Sequence, residues 1–197
     1  MRGASLLSKD LNLTSGADEA SVFFAAGPTA TSARTRLSWA RNQGNAALLA
    51  QEEAWWSAWI APAAMPNTTD AQVLRVCKRR LISIRTAMAA SGCISASVGS
   101  QPPYAADWPR DGAFINLALD LAGYHDLVTK HNLFYVSVQR TGGLWGGSYE
   151  MNSWADGMPA GPIPLEIDNV GMATWTLWHH ASFLSGAEKA AYLAQVY

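Results

Sequence analysis

The chain has 197 residues, of which 49% are hydrophobic and only 15% charged, and its formal net charge is −1. That is enough apolar material for one packed core or for part of a larger one. The near-neutral balance gives no electrostatic case for nucleic acid or an anionic membrane as a partner.

No stretch is long and apolar enough to span a bilayer. Residues Met1 to Asn12 lack the apolar run of a secretion signal, which leaves the compartment open. Nine tryptophans are an excess for this length. Most read as core packing, and a few read as flat faces in a groove, where they suit sugar rings. The two cysteines, Cys77 and Cys93, have no metal-like spacing and read as free buried thiols.

In chain order, Ala20 to Ala26 reads as a short strand closed by Gly27-Pro28. A lone strand needs partners, and Ser5 to Leu13 is the other candidate before Ala30. Residues 1–30 therefore read as the tail of an N-terminal β-domain, the remnant of a β-sandwich. From Ser32 to about Ile60 the apolar spacing is helical, with Gly44 a weak point and Pro62 and Pro66 as stops. Residues 31–69 thus form a linker helix and a linker. Asp70 is placed to N-cap a helix from Ala71 to about Ala90. Its basic run, Lys78-Arg79-Arg80, reads as a solvated face in preference to an anion site.

Ser-, Gly- and Pro-rich residues follow to Tyr104. Helices are then expected at about Asp111–Ala122, ended by Gly123, and at about His125–Gln139. Residues 141–164 form a long loop rich in Gly, Trp and Pro, a type that is commonly functional. A helix at about Asn169–Leu184 and a last one beginning near Ala187 complete the chain. The segments Phe114–Ala122 and Val170–Trp178 are apolar nearly all round, which predicts helices buried on all sides. Their neighbours at 71–90 and 125–139 are amphipathic. This alternation predicts an α/α toroid of alternating inner and outer helices, with a simple helical bundle as the rival architecture.

Each apolar helix follows an acidic loop: Trp108-Pro109-Arg110-Asp111-Gly112 before one, Glu166-Ile167-Asp168-Asn169 before the other. Helix capping by Asp111 or Asp168 is the plain alternative, worth about 1 kcal/mol. It leaves Arg110 and Trp108 unexplained. At one end of a toroid, Trp108, Arg110, Asp111, Glu166 and Asp168 would share a mouth. A sugar needs carboxylate acceptors, guanidinium donors and a stacking face, and this set has all three. His125, His131, His179 and His180 form no metal-like pair with a carboxylate at helical spacing. They read as surface or helix-end residues, with no metal and no cofactor expected.

The run Tyr104–Gly112, followed by an apolar helix ending in Ala-Gly, resembles the Trp-x-Arg-Asp motif of family 15 glycoside hydrolases, the glucoamylases, glucodextranases and related trehalases. Asn152-Ser153-Trp154, Pro164–Asp168 and Ala173–Trp178 resemble that family's next block, with Glu166 where many members have Gln. Residues 31–60 resemble the helix that links a β-sandwich to the catalytic toroid in bacterial members.

The resemblance implies a mainly α fold, an incomplete six-hairpin toroid over residues 70–197, preceded by the β-sandwich remnant. It implies that Arg110 and Asp111 grip the terminal glucose of an α-glucan or oligosaccharide. Trp108 would line that subsite, Trp154 would stand near the scissile bond, and Asp168 would open the next inner helix. It further implies inverting hydrolysis by a carboxylic acid and a separate carboxylate base. The acid belongs before a third inner helix, so the acid and base are expected beyond Tyr197 and the chain as given reads as an inactive fragment. Glu52, Glu53, Glu150 and Glu188 match no acid motif. Trehalase or glucodextranase activity, or carbohydrate binding without catalysis, are the competing readings. Neither linkage preference nor oligomeric state is legible.

Overall fold

A computed structural model describes residues 21–97, 105–161 and 166–197, which divide into two compact units at residue 57. The described residues are mainly helical, with seven helices and no strand beyond isolated bridges. Of the expected β-tail over residues 1–30, residues 1–20 lie outside the described residues. Residues 21–27 carry no regular secondary structure, so this part of the expected strand is not formed among the described residues.

In the first unit, α1 (Ala30–Gln43) opens on a reciprocal capping box. The Ser32 amide donates to Thr29 Oγ1, and the Thr29 amide donates to Ser32 Oγ, both at 3.2 Å. The single helix expected over 32–60 is two helices. Gly44 takes φ +78°, where a residue with a Cβ is strained, and α2 (Asn45–Ile60) restarts beyond it. Neither helix has a fully buried residue: on α2, Trp55 is exposed and Trp56 half-buried.

The second unit begins with the end of α2. Trp59 stacks on Tyr124 at 4.4 Å, and the Tyr124 hydroxyl donates to the Trp59 carbonyl at 2.8 Å. Asp70 caps α3 (Ala71–Ala87) as expected, accepting from the Gln72 and Val73 amides at 2.8 and 3.2 Å. This helix stops three residues short of Ala90, because Met88 turns extended and bridges to Ile94.

Next come α4 (Pro109–Leu121) and α5 (His125–Val138), then α6 (Ile167–His180) and α7 (Gly186–Val196). Pro109 takes the first position of α4, where its missing N–H costs nothing. Gly123 at φ +87° lets the Tyr124 amide reach back to the Leu119 carbonyl and ends the helix. Helix α6 closes at His180, ahead of the expected Leu184, because residues 181–183 tighten into a turn of three-residue hydrogen bonds.

Side-chain pairs set the directions of these helices. Arg110 meets Asp168, Asn116 meets Thr176 and Asp120 meets His180, so α4 and α6 run parallel, side by side. Helix α5 runs against both: its first residue, His125, meets Asp120 near the end of α4, and its later His131 meets Asn116.

Apolar clusters fill the unit around this triplet. One gathers Leu81, Met88, Ile94, Leu119 and Val128, another Cys93, Phe134, Tyr135, Tyr149 and Ala173, and a third Ala181, Leu184 and Tyr192.

The expectation that α4 and α6 are buried on all sides is overturned. Phe114 and Leu121 on α4, and Ile167 and Trp178 on α6, are each more than 60% exposed. The buried faces instead carry Asn116 and Asp120 on α4, and Asn169, Thr176 and His180 on α6. Polar side chains turn inward because they find partners on the neighbouring helices, which repays their desolvation.

Candidate functional site

The loop carrying Trp108, Arg110 and Asp111 is held by its predecessor, Asp107, which is 1% exposed. The Asp107 Oδ2 accepts from the Ile94 amide at 2.7 Å and lies 2.7 Å from His131 Nε2, while Oδ1 accepts from the Tyr135 hydroxyl at 2.7 Å. A buried carboxylate is tolerable only with such a full set of partners. Burial and the Asp107 charge together push the Tyr135 phenol well above its usual pKa. Gly112 lies against the same tyrosine. A Cβ there would sit 1.8 Å from the Tyr135 hydroxyl and 2.7 Å from His131 Cε1, so the Gly of the Trp-Pro-Arg-Asp-Gly run is required by close approach.

Two other loops are tied to this one. Asp107 and Ser153 exchange both backbone hydrogen bonds, at 2.9 and 3.0 Å, so Trp108 and Trp154 each stand one residue beyond a paired position. Trp108 is half-buried and Trp154 exposed. Asn169, fully buried, joins the loop before α6: its Oδ1 accepts from the Arg110 amide at 3.3 Å, and its Nδ2 donates to the Met151 carbonyl at 2.8 Å and to Glu166 Oε2 at 3.1 Å.

Across this junction the Arg110 guanidinium forms an ion pair with Asp168, both side chains being about half exposed. The hydrogen bond and charge of Asp168, and to a lesser degree the charges of Glu166 and Asp111, hold the Arg110 pKa above its usual value. Neither Asp111 nor Asp168 is an N-cap: Trp108 and Glu166 occupy those positions, and neither helix start has a side-chain cap hydrogen bond. Asp111 and Asp168 lie within the first turns, where the positive helix ends favour a carboxylate. The result is a solvent-facing guanidinium among three carboxylates, between two parallel helix N-termini, with Trp154 exposed on the neighbouring loop.

Glu150 is not part of this group. It pairs with Arg140 across the base of the 141–147 loop, Nε donating to Oε1 at 3.0 Å, and braces that loop. An apolar groove of about 460 Å³ lies elsewhere, between α3 and the C-terminal end of α4.

Sequence reasoning missed the buried polar spine beneath the site. Asn116 Nδ2 donates to Asn132 Oδ1 and Thr176 Oγ1, both at 2.9 Å, and Asn132 Nδ2 donates to the Tyr192 hydroxyl at 2.9 Å. The reading of the histidines as surface or helix-end residues is wrong for His131, which is 0% exposed within α5; His180 does end α6, but buried, at 1% exposed. His125 is half-buried, at the first position of α5. A signal was present. Asn116/Asp120 and Thr176/His180 are polar pairs at four-residue spacing inside otherwise apolar helices, which places each pair on one helix face.

No family model matches the chain, and no solved structure matches it. The chain is similar to an "uncharacterized glycosyl hydrolase" of Methanocaldococcus jannaschii, with 28% identity over 109 residues, 55% of this chain. The matched stretch is 17% of that protein's length.

Proposed function

We propose that this chain carries the sugar-gripping part of a glycoside hydrolase of the glucoamylase type, which removes glucose from the non-reducing end of α-glucans with inversion. The observation that carries the reading is the Arg110–Asp168 ion pair joining the starts of two parallel helices, with Asp111 and Glu166 beside it. A guanidinium already oriented by one carboxylate presents its remaining N–H groups to hydroxyl oxygens. The neighbouring carboxylates accept from hydroxyl protons, and an exposed indole supplies a face for the ring. The similarity to a protein named a glycosyl hydrolase supports the class. The Trp-Pro-Arg-Asp-Gly run supports the family 15 assignment and the toroid to which α4 and α6 would contribute inner helices.

In this reading Arg110 and Asp111 hold the terminal glucose, Trp108 and Trp154 pack against rings, and Asp168 fixes the guanidinium. Glu166 contributes charge and, through Asn169, holds the loop. No acid or base is assigned among these residues.

The test is a titration of the protein with maltose, isomaltose and trehalose, followed by tryptophan fluorescence. Saturable binding of maltose, abolished in Arg110→Ala, is expected. Preferential binding of trehalose or isomaltose would move the assignment to trehalase or glucodextranase, and no binding of any of the three would sink it. In the whole coding length, NMR of the first product should show β-glucose released from α-linked substrate, as inversion requires.

A further inference from the structure

Where α4 and α6 end, a second cluster lies outside the candidate site. Asp120 in the last turn of α4 is buried, and its Oδ1 lies 2.8 Å from both His125 Nδ1 and His180 Nδ1. One ligand atom from each residue falls within 4.8 Å of the others. We propose that Asp120, His125 and His180 form a binding site for a divalent transition-metal ion, zinc by ligand type, that clamps the ends of α4 and α6 to the start of α5.

Three observations carry this. The donor set, two imidazole nitrogens and one carboxylate oxygen, suits zinc, which takes three protein ligands plus a water in a tetrahedral site. At metal–ligand distances of about 2.0–2.2 Å each imidazole nitrogen needs to draw away from the Asp120 oxygen by only about half an ångström from its hydrogen-bonded spacing.

The second observation is outer-shell support. His180 Nε2 lies 2.8 Å from the Thr129 hydroxyl. With the ring proton on Nε2, Thr129 accepts it and Nδ1 turns its lone pair toward the ion, as metal-bound imidazoles are characteristically held.

Charge is the third. Asp120 makes no Lys or Arg ion pair among the described residues; its buried carboxylate faces the two imidazoles. Two helix C-termini, whose partial negative charge favours a cation, converge there against one helix N-terminus, that of α5. His125, with a side chain 32% exposed, supplies the entry path and the side on which a water would complete the shell.

Each imidazole binds the ion as the neutral ring with its proton on Nε2; the Nδ1 proton either moves to Nε2 or, from a ring protonated on both nitrogens, passes to solvent. The cluster lies ten residues along α4 from Arg110, about 15 Å at ~1.5 Å per residue, so its role is to hold helices together and not to act on sugar.

The experiment uses untagged protein over its whole coding length, dialysed against chelator and titrated with Zn²⁺ in competition with a chromogenic chelator. One equivalent should bind, raising the melting temperature. Affinity should fall at least ten-fold in His125→Ala, a half-exposed position whose loss leaves the fold intact by circular dichroism. Removing only the outer-shell group, Thr129→Val, should weaken binding about 10–100-fold. Cobalt substitution should give the visible absorption of a tetrahedral site. Folded wild-type protein that binds no zinc, or binding unchanged in His125→Ala, overturns the proposal and leaves a purely hydrogen-bonded Asp-His-His cluster.

Discussion

Arg110 at the second position of α4 is ion-paired with Asp168 at the second position of α6, 58 residues away, and this pair joins the starts of two parallel helices. Because both side chains are about half exposed, the pair adds little to stability, within the ~0–1 kcal/mol of surface pairs. Asp168→Asn should therefore leave the melting temperature nearly unchanged while weakening maltose binding about ten-fold or more, since a charge-assisted contact is worth roughly 1.5–3 kcal/mol. Calorimetric titration alongside a thermal melt checks both halves.

Asp111 offers a test of the proposed sugar recognition against plain helix stabilisation. It makes no cap hydrogen bond, so Asp111→Ala should cost no more than the ~0.3–1 kcal/mol of a first-turn dipole interaction. In the whole coding length the same change should lower kcat/KM by about a hundred-fold or more, because a hydroxyl-reading contact strengthens toward the transition state. Normal kinetics with a lowered melting temperature would make Asp111 a purely structural residue.

Gly112→Ala places a methyl group against the Tyr135 hydroxyl and His131. Overpacking of this kind costs about 1–3 kcal/mol or more, and here it also displaces a donor to Asp107. A loss in that range should appear in urea unfolding, together with weakened sugar binding because the Arg110 loop shifts. Asp107→Ala should be worse, at about 3–5 kcal/mol, since it strands the Ile94 amide, Tyr135 and His131 in the interior.

The two faces of α6 give opposite outcomes. Leu177 is 7% exposed and Trp178 63%. Leu177→Ala should cost about 2–5 kcal/mol, whereas Trp178→Ser should stay within about 0.5 kcal/mol in the chain as described. If Trp178→Ser proves as costly as Leu177→Ala in the whole coding length, a further segment covers this face there.

The cysteines should differ in reactivity. Burial, reinforced by the Asp107 charge, pushes the Cys93 thiol up to about 12, and it is fully buried, whereas Cys77 is only half-buried. At pH 8 a thiol reagent should modify Cys77 readily and Cys93 only after unfolding. The pKa of Cys93 is raised over the unfolded value near 9, so its contribution to stability is complete below pH 9 and is lost as pH rises from there toward 12. Stability should fall less steeply between about pH 9 and 12 in Cys93→Ser, which has no thiol to ionise, as urea unfolding across that pH range would read.

Local chemistry was legible in the chain itself. Asp70 as a cap, Gly123 as a stop, Pro109 at a helix start, and the helix order from residue 71 onward follow from backbone conformational preferences of single residues. Those preferences act over four or five neighbours, so no distant partner can hide them. The grouping of Arg110 with Asp168 was legible only as a motif. What joins them physically is Asn169 and the Asp107–Ser153 backbone pair, contacts between loops some 45–60 residues apart. Hydrophobic periodicity misled where polar residues were buried. Asn116, Asp120, Thr176 and His180 look like interruptions in apolar helices, yet they face inward while Phe114, Leu121 and Trp178 face out. A polar side chain's burial depends on whether a partner waits across the interface, and only the tertiary packing of α4, α5 and α6 supplies that partner.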